Sequence, residues 1–155
     1  MKGNEKLIAT LNELLAEELT SISQYMVHSE MCSNWGYEKL HKAIEKQAID
    51  EMRHAEWLIS RIIFLEGIPE VAKLSPMRIG KTVLEMVTND EEAELVAVAA
   101  YNSAIALAGE VGDQATADLL TKILGMEEDH VKWGEIQRAQ IKQISLENYL
   151  AKQGD

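Results

Sequence analysis

The feature that most constrains this chain is an internal duplication with a constant offset between its two copies. Shifting the sequence along itself so that Glu18 falls on Glu94 places several acidic, histidine, aromatic and glycine residues on identical residues. The other matched pairs are Tyr25 with Tyr101, Gly36 with Gly112, Glu51 with Glu127, His54 with His130, and Trp57 with Trp133. Self-similarity at a fixed offset indicates two copies of one structural unit.

The spacing inside each copy predicts a helical hairpin. The separation from Glu18 to Glu51 equals that from Glu94 to Glu127, and a turn signal that contains Gly36 or Gly112 lies at the midpoint. Two antiparallel helices joined there would hold both glutamates at one height, about 25 Å from the bend at ~1.5 Å per residue. The histidine three positions after the second glutamate shares its helical face. The sequence therefore predicts four glutamates and two histidines that converge in the middle of a bundle.

Hydrophobic periodicity predicts four long helices and a short tail helix. The expected spans are about 5–32, 37–65, 81–110, 113–143 and 145–152, with Asn4 and Ser145 as caps and Gly67 at the end of the second helix. Residues 66–81 hold both prolines and form the long connection, which can reach roughly 50 Å. Two tight hairpins and one long crossover predict an all-α, ferritin-like four-helix bundle in a single domain, residues 1–155, rather than an up-down bundle with three short loops.

Charge and composition exclude several classes of function. The formal net charge of −11 argues against binding to nucleic acid, which requires clustered Lys and Arg. A single cysteine, Cys32, cannot form an internal disulfide, and we expect it to fill a helix end. The N-terminus lacks the apolar segment of a signal peptide, and the most apolar window, Leu95 to Leu107, is too short to cross a bilayer. We expect a cytoplasmic protein that binds neither nucleic acid nor membrane.

The predicted cluster requires positive charge. Four carboxylates inside a bundle repel one another and lose their hydration, and both effects favour protonation. Two divalent cations would neutralise them, with one imidazole nitrogen for each metal. A lone Glu-x-x-His would be an ordinary surface pair, but two copies with matched glutamates and turns argue against coincidence. Glutamate from two helices and Glu-x-x-His from two others is the ligand set of di-iron and di-manganese bundles, whereas structural zinc sites are usually rich in thiolates.

Over its whole length the chain resembles the bacterioferritins. The segments that carry the resemblance are Met1-Lys2-Gly3, Ile49-Asp50-Glu51-Met52, Phe64-Leu65-Glu66-Gly67, Glu127-Glu128-Asp129-His130 and Leu146-Glu147-Asn148-Tyr149-Leu150. The resemblance implies a homo-oligomeric shell of twenty-four subunits, built of dimers, that stores iron as a mineral core. It also implies a ferroxidase centre that oxidises Fe(II) with oxygen or hydrogen peroxide, haem b shared between two subunits, and a ferredoxin as a possible electron donor for iron release.

The resemblance also assigns roles to individual residues. Glu18 and His54 would hold one iron, Glu94 and His130 the other, and Glu51 and Glu127 would bridge the two. Met52 would be an axial ligand of the haem. Three aromatic residues would be either electron donors or packing beside the centre: Tyr25, Tyr101 and Trp133.

Two features of the sequence bear on these implied roles. Met52 belongs to a second apolar stripe with Ile49, Ile59 and Ile63, and the offset places this stripe on Gly125, Glu128, Glu135 and Ala139. The first hairpin is thus predicted to have an outside partner. Lys46 stands where some family members carry a histidine beside the equivalent of Asp50, and a protonated lysine cannot bind a metal. This departure argues against an iron site on the inner surface of the shell.

Two other functions remain open at the level of sequence. A small di-metal oxidase or peroxidase could use the same bundle and store nothing, and particle size separates it from a storage shell. DNA-protecting mini-ferritins resemble this chain poorly, because their metal ligands come from two subunits, and the acidic charge also argues against them.

Overall fold

Five α-helices account for most of residues 1–154, the part of the chain described by this computed structural model. They are α1 (Glu5–Asn34), α2 (Glu38–Phe64), α3 (Val83–Glu110), α4 (Gln114–Ile144) and α5 (Leu146–Ala151). Every boundary lies within two residues of the predicted one, and no strand occurs within this range. The prediction of an all-α fold with four long helices and a short tail helix is confirmed. None of these helices is long and apolar enough to cross a membrane.

The two hairpin turns are built alike. Gly36 and Gly112 have φ values of 83° and 75°, a left-handed conformation that favours glycine. In the first turn the amide of Tyr37 donates to Cys32 O over 2.9 Å, and in the second the amide of Asp113 donates to Ala108 O over 2.8 Å. Each of these hydrogen bonds joins residues five positions apart and closes the C-terminus of the preceding helix. The duplication therefore extends to the backbone of the turns.

The second helix ends just before Gly67, as predicted. The left-handed position at this end is taken by Glu66, with φ 62°. The amide of Gly67 completes the helix end by donating to Ile62 O over 2.9 Å. Glycine is required there for space, because a Cβ at Gly67 would lie 2.6 Å from Ile8 Cγ2.

The apolar core is divided into two clusters along the bundle. One contains Leu7, Leu11, Leu14 and Leu15 of α1, and the other begins on that helix at Tyr25. Glu18 lies on α1 between them and is buried. The bundle thus has a polar layer at mid-height, enclosed by hydrophobic packing at both ends.

Cys32 belongs to the second cluster and is fully buried near the end of α1. Its sulfur lies 4.0 Å from Met86 Sδ. Burial raises the pKa of the thiol to about 11. The prediction that Cys32 fills a helix end is confirmed.

The crossover between α2 and α3 is held against α1 by hydrogen bonds that the sequence did not predict. Backbone amides of the crossover donate to Asn12 Oδ1 over 2.9 Å, Thr20 Oγ1 over 2.8 Å, Gln24 Oε1 over 3.0 Å and His28 Nε2 over 2.9 Å. These four residues are separated by multiples of four, so they lie along one row that winds gradually around α1. The crossover therefore runs alongside α1 in the same direction, and α3 begins near the C-terminal end of α1.

Replacement of Gly80 with Ala is expected to destabilise the end of the crossover. A Cβ at Gly80 would lie 2.5 Å from the backbone nitrogen of Met86 and 2.9 Å from the carbonyl carbon of Glu85. Backbone atoms cannot move aside cheaply, so we expect a loss of about 1 to 3 kcal/mol in the free energy of unfolding. Gly125→Ala is the matched control, because a Cβ there meets no atom within 4 Å and alanine favours a helix interior by about 0.5 to 1 kcal/mol. Thermal unfolding of both variants tests this, and equal midpoints would contradict it.

Candidate metal centre

All six residues predicted to converge lie together in the polar layer. α1 contributes Glu18, α2 contributes Glu51 and His54, α3 contributes Glu94, and α4 contributes Glu127 and His130. Each is at most 6% exposed. Their ligand atoms form two groups, each within a span of 4.8 Å, which are Glu18, Glu51, His54 and Glu127, and Glu51, Glu94, Glu127 and His130. Glu51 and Glu127 belong to both groups.

Both histidines present the same ring nitrogen to the carboxylates. His54 Nδ1 lies 3.0 Å from Glu127 Oε1 and 3.5 Å from Glu18 Oε2. His130 Nδ1 lies 2.9 Å from Glu51 Oε1 and 3.2 Å from Glu94 Oε1. The two rings lie on either side of the shared carboxylates, with centroids 6.4 Å apart.

Two of the three predicted aromatic residues contact the cluster. The Tyr25 hydroxyl donates to Glu94, and the Tyr101 hydroxyl donates to Glu18. Burial and the negative charge of the bonded glutamate raise the pKa of each tyrosine well above its usual value. Both tyrosines are therefore neutral donors, and each fixes the carboxylate of the opposite hairpin.

Trp133 lies beside the centre, at the surface of the bundle. It lines a surface pocket of about 290 Å³ together with Lys46, Asp50, Asp129 and His130. No hydrogen bond joins it to the six clustered residues within the described part of the chain. Because His130 also lines this pocket, the centre lies close to the surface of the bundle here.

The Nε2 atom of each histidine, called here the outer nitrogen, has a partner that was not predicted from the sequence. His130 Nε2 lies 2.9 Å from Asp50 Oδ2, and His54 Nε2 lies 3.2 Å from Met126 Sδ. Lys46 Nζ lies 3.3 Å from the same Asp50 oxygen. The offset of the duplication pairs Asp50 with Met126, so the two contacts occupy equivalent positions of the two copies.

Burial and mutual repulsion dominate the electrostatics. Burial, followed by the charge of Glu18, raises the pKa of Glu51 and of Glu127 well above the usual carboxyl value. Burial also opposes ionisation of Glu94, but the contact with His130 outweighs it and lowers the pKa. Burial alone would lower the pKa of the histidines, yet neighbouring glutamates raise it to about 9 for both His54 and His130. Without a cation, the protein thus holds protons at this centre.

Several buried side-chain polar atoms in the cluster have no hydrogen-bond partner. They are Glu18 Oε2, Glu51 Oε2, Glu94 Oε2, Glu127 Oε1 and His54 Nδ1. Glu127 Oε1 and His54 Nδ1 are close to each other but are not in hydrogen-bond geometry. Unpaired buried acceptors are costly, and carboxylate oxygens with imidazole nitrogens suit divalent iron and manganese. The residues therefore fit two divalent cations that share Glu51 and Glu127.

Met52 lies on the outer face of the first hairpin, outside the polar layer. It is 39% exposed and lines an apolar pocket of about 300 Å³ with Ile22, Met26 and Ile49. Met26 follows the periodicity of the core residues of α1 but is 52% exposed, because it belongs to this outer face. Ile59, grouped with Met52 in the predicted stripe, instead packs partly against the core. The outer face is thus apolar and combines residues of α1 and α2.

The raised pKa values predict how the stability of the metal-free protein changes with pH. The pKa of each histidine is about 9 in the folded chain and 6.5 in the unfolded chain. Their stabilising contribution is therefore complete below pH 6.5 and is lost as the pH rises through 9, and the raised pKa values of Glu51 and Glu127 act in the same direction. We expect the free energy of unfolding to fall by about 2 to 3 kcal/mol for each histidine over this range.

Chemical unfolding of the chelator-treated protein at pH 6.5 and pH 9 measures this change. The same experiment with excess Zn(II) is the control, since a bound cation removes the need for protons. A metal-free protein that is equally stable or more stable at pH 9 would contradict the assigned pKa directions.

Known proteins are similar in sequence to this chain over nearly its whole length. A family model described as a ferritin-like domain matches residues 8–144. The chain is 43% identical to a bacterial ferritin of Synechocystis sp. over 99% of both chains. It is 40% identical to a bacterioferritin of Rhodobacter capsulatus, covering 99% of this chain and 92% of that protein, and 38% identical to a bacterioferritin of Brucella melitensis, covering 96% and 92%. The predicted resemblance is confirmed, and the chain belongs to the bacterioferritins of the ferritin-like family.

Proposed function

We propose that this protein stores iron and oxidises Fe(II) at the buried centre of each subunit. One observation carries the proposal: two groups of four ligand atoms share Glu51 and Glu127, and four carboxylate oxygens around them lack hydrogen-bond partners. Such a centre accepts two cations side by side. Membership of the bacterioferritins supports iron as the cation.

The residues of the chain have distinct roles in this proposal. Glu18 and His54 hold one Fe(II), Glu94 and His130 hold the other, and Glu51 and Glu127 contact both. Because two ferrous ions lie side by side, they can supply two electrons together to oxygen or hydrogen peroxide. The protein prepares this step by orienting carboxylates through the two tyrosines and by excluding water with the apolar clusters.

The histidines must lose a proton for this role. Each ring has a pKa of about 9 before iron arrives, so at neutral pH it carries a proton on the nitrogen that faces the glutamates. Binding of a cation displaces that proton, because a metal ligand must offer a lone pair. Uptake of Fe(II) is therefore accompanied by proton release.

The outer face of the first hairpin supports the assembly that we propose. Met26, Ile49 and Met52 are each more than a third exposed on this face. A two-fold axis would bring the same apolar surfaces of two subunits together. We infer that these dimers build a shell of twenty-four subunits around the mineral.

Haem b fits between the two subunits of such a dimer. The Met52 thioether lies in an apolar pocket, and two copies of the pocket would face each other across the axis. Met52 of each subunit would be an axial ligand, and a methionine ligand favours the reduced haem. A ferredoxin could then deliver electrons through the haem to the stored iron.

The first test is the reaction of Fe(II) at the centre. We expect two Fe(II) per subunit to bind anaerobically and to be oxidised rapidly when oxygen is added. Glu51→Ala and Glu127→Ala should each remove the rapid phase, because each removes a carboxylate shared by both ions, whereas Glu128→Ala, an exposed neighbour, should retain it. Stopped-flow absorbance measures the rate, and a rapid phase that survives in both centre variants would exclude the assignment.

Particle size completes this test. Light scattering of the iron-loaded protein should give a particle of twenty-four subunits with a mineral core. A small particle that oxidises iron without retaining it would instead indicate the oxidase without storage.

The second test concerns the haem. Met52→Leu is expected to eliminate bound haem while leaving fold and iron oxidation intact, because leucine roughly conserves the apolar volume but lacks the sulfur ligand. Met26→Leu in the same pocket is the matched control and should retain haem. Visible absorption after reconstitution decides between them, and a six-coordinate haem in Met52→Leu would assign another ligand.

A further inference from the structure

We propose that the two cation positions of the centre are unequal, with the position at His130 binding a divalent cation more tightly than the position at His54. The inference rests on the proposed function of the centre. It follows from the different residues that contact the Nε2 atoms of the two histidines, which are Asp50 at His130 and Met126 at His54. Asp50 and Met126 act through the histidines and are therefore positioning residues.

The two halves of the centre match in every residue that faces the cations. The offset of the duplication pairs the glutamates, histidines and tyrosines with identical residues. It also pairs Asp50 with Met126, the residues immediately before the shared glutamates. At this position the chemistry of the two halves differs.

The contacts of these two residues cross between the hairpins. Asp50 of α2 supports His130 of α4, with 2.9 Å between Oδ2 and Nε2. Met126 of α4 supports His54 of α2, with 3.2 Å between Sδ and Nε2. The geometry of the two halves is thus equivalent, and the nature of the acceptor is what changes.

A carboxylate makes the histidine a better ligand. Asp50 accepts the Nε2 hydrogen of His130, which leaves the Nδ1 lone pair free for a cation and increases the electron density of the ring. Lys46 Nζ lies 3.3 Å from the same oxygen and holds it beside the ring. His130 is therefore both oriented and made more basic.

A thioether gives orientation alone. Sulfur of Met126 is an uncharged and weak acceptor, so it contributes little to the basicity of His54. Loss of an outer partner of a metal-binding histidine typically costs about tenfold to a hundredfold in metal affinity. We expect the affinities of the two positions to differ by a factor within that range.

Unequal positions would order the events at the centre. The first Fe(II) would fill the position of Glu94 and His130, and the second would complete the centre at Glu18 and His54. The weaker position would also be the one that exchanges its cation, so it sets how much Fe(II) is needed before oxidation begins.

Anaerobic titration with Co(II), followed by visible absorption and calorimetry, tests the inference without any turnover. The metal-free wild-type protein should bind two Co(II) per subunit in two steps that differ about tenfold to a hundredfold in affinity. His130→Ala should remove the tighter step, and His54→Ala the weaker one.

Exchange of the outer partners identifies the cause of the difference. Met126→Asp should tighten the weaker step about tenfold or more and bring the two steps together. Met126→Leu, the matched control without an acceptor, should not tighten it. Asp50→Asn, which retains an acceptor oxygen but not the charge, should weaken the tighter step.

Two results would overturn the inference. One is equal binding of two Co(II) in the wild-type protein, and the other is a Met126→Asp variant whose two steps are unchanged. Either result together with rapid Fe(II) oxidation would leave the proposed function intact, whereas failure to bind any divalent cation would reject the proposed function itself.

Discussion

The burial of four carboxylates in one layer is the constraint on which the rest of this bundle depends. Glu18, Glu51, Glu94 and Glu127 are at most 2% exposed, and such a group is stable only with compensating charge or protons. Two histidines and two tyrosines compensate in part. Apolar clusters above and below the layer provide the hydrophobic stabilisation that offsets the remaining cost.

Equivalent positions of the two copies carry the same residue where both hairpins have the same structural role. They carry different residues where only one hairpin has that role. Gln24, His28 and Asp90 form a buried network beneath the crossover, and their equivalents are Ala100, Ala104 and Leu14. The chain has one crossover, so these polar groups of α1 and α3 are required only beneath it. Met52 and its equivalent Glu128 differ for the same reason, because the apolar outer face occurs on the first hairpin.

The sequence predicted what depends on position along a helix and missed what depends on rotation about it. Spacing and turn signals were sufficient for the helices and for the height of the six clustered residues. The exposure of Met26, the partial burial of Ile59 and the contact between His54 and Met126 require the rotation of each helix, which packing determines.

Three consecutive residues of α2 connect the parts of this molecule. Successive helical residues are separated by about 100° around the axis, so Asp50, Glu51 and Met52 face different surroundings. Asp50 contacts the outer nitrogen of His130, Glu51 lies in the shared carboxylate pair, and Met52 lines the outer pocket. Any rotation or shift of α2 caused by contact at the outer face therefore also moves Glu51 and the Asp50 carboxylate that contacts His130. A movement of this helix turn affects the outer face and the centre together, because residues of the same turn belong to both.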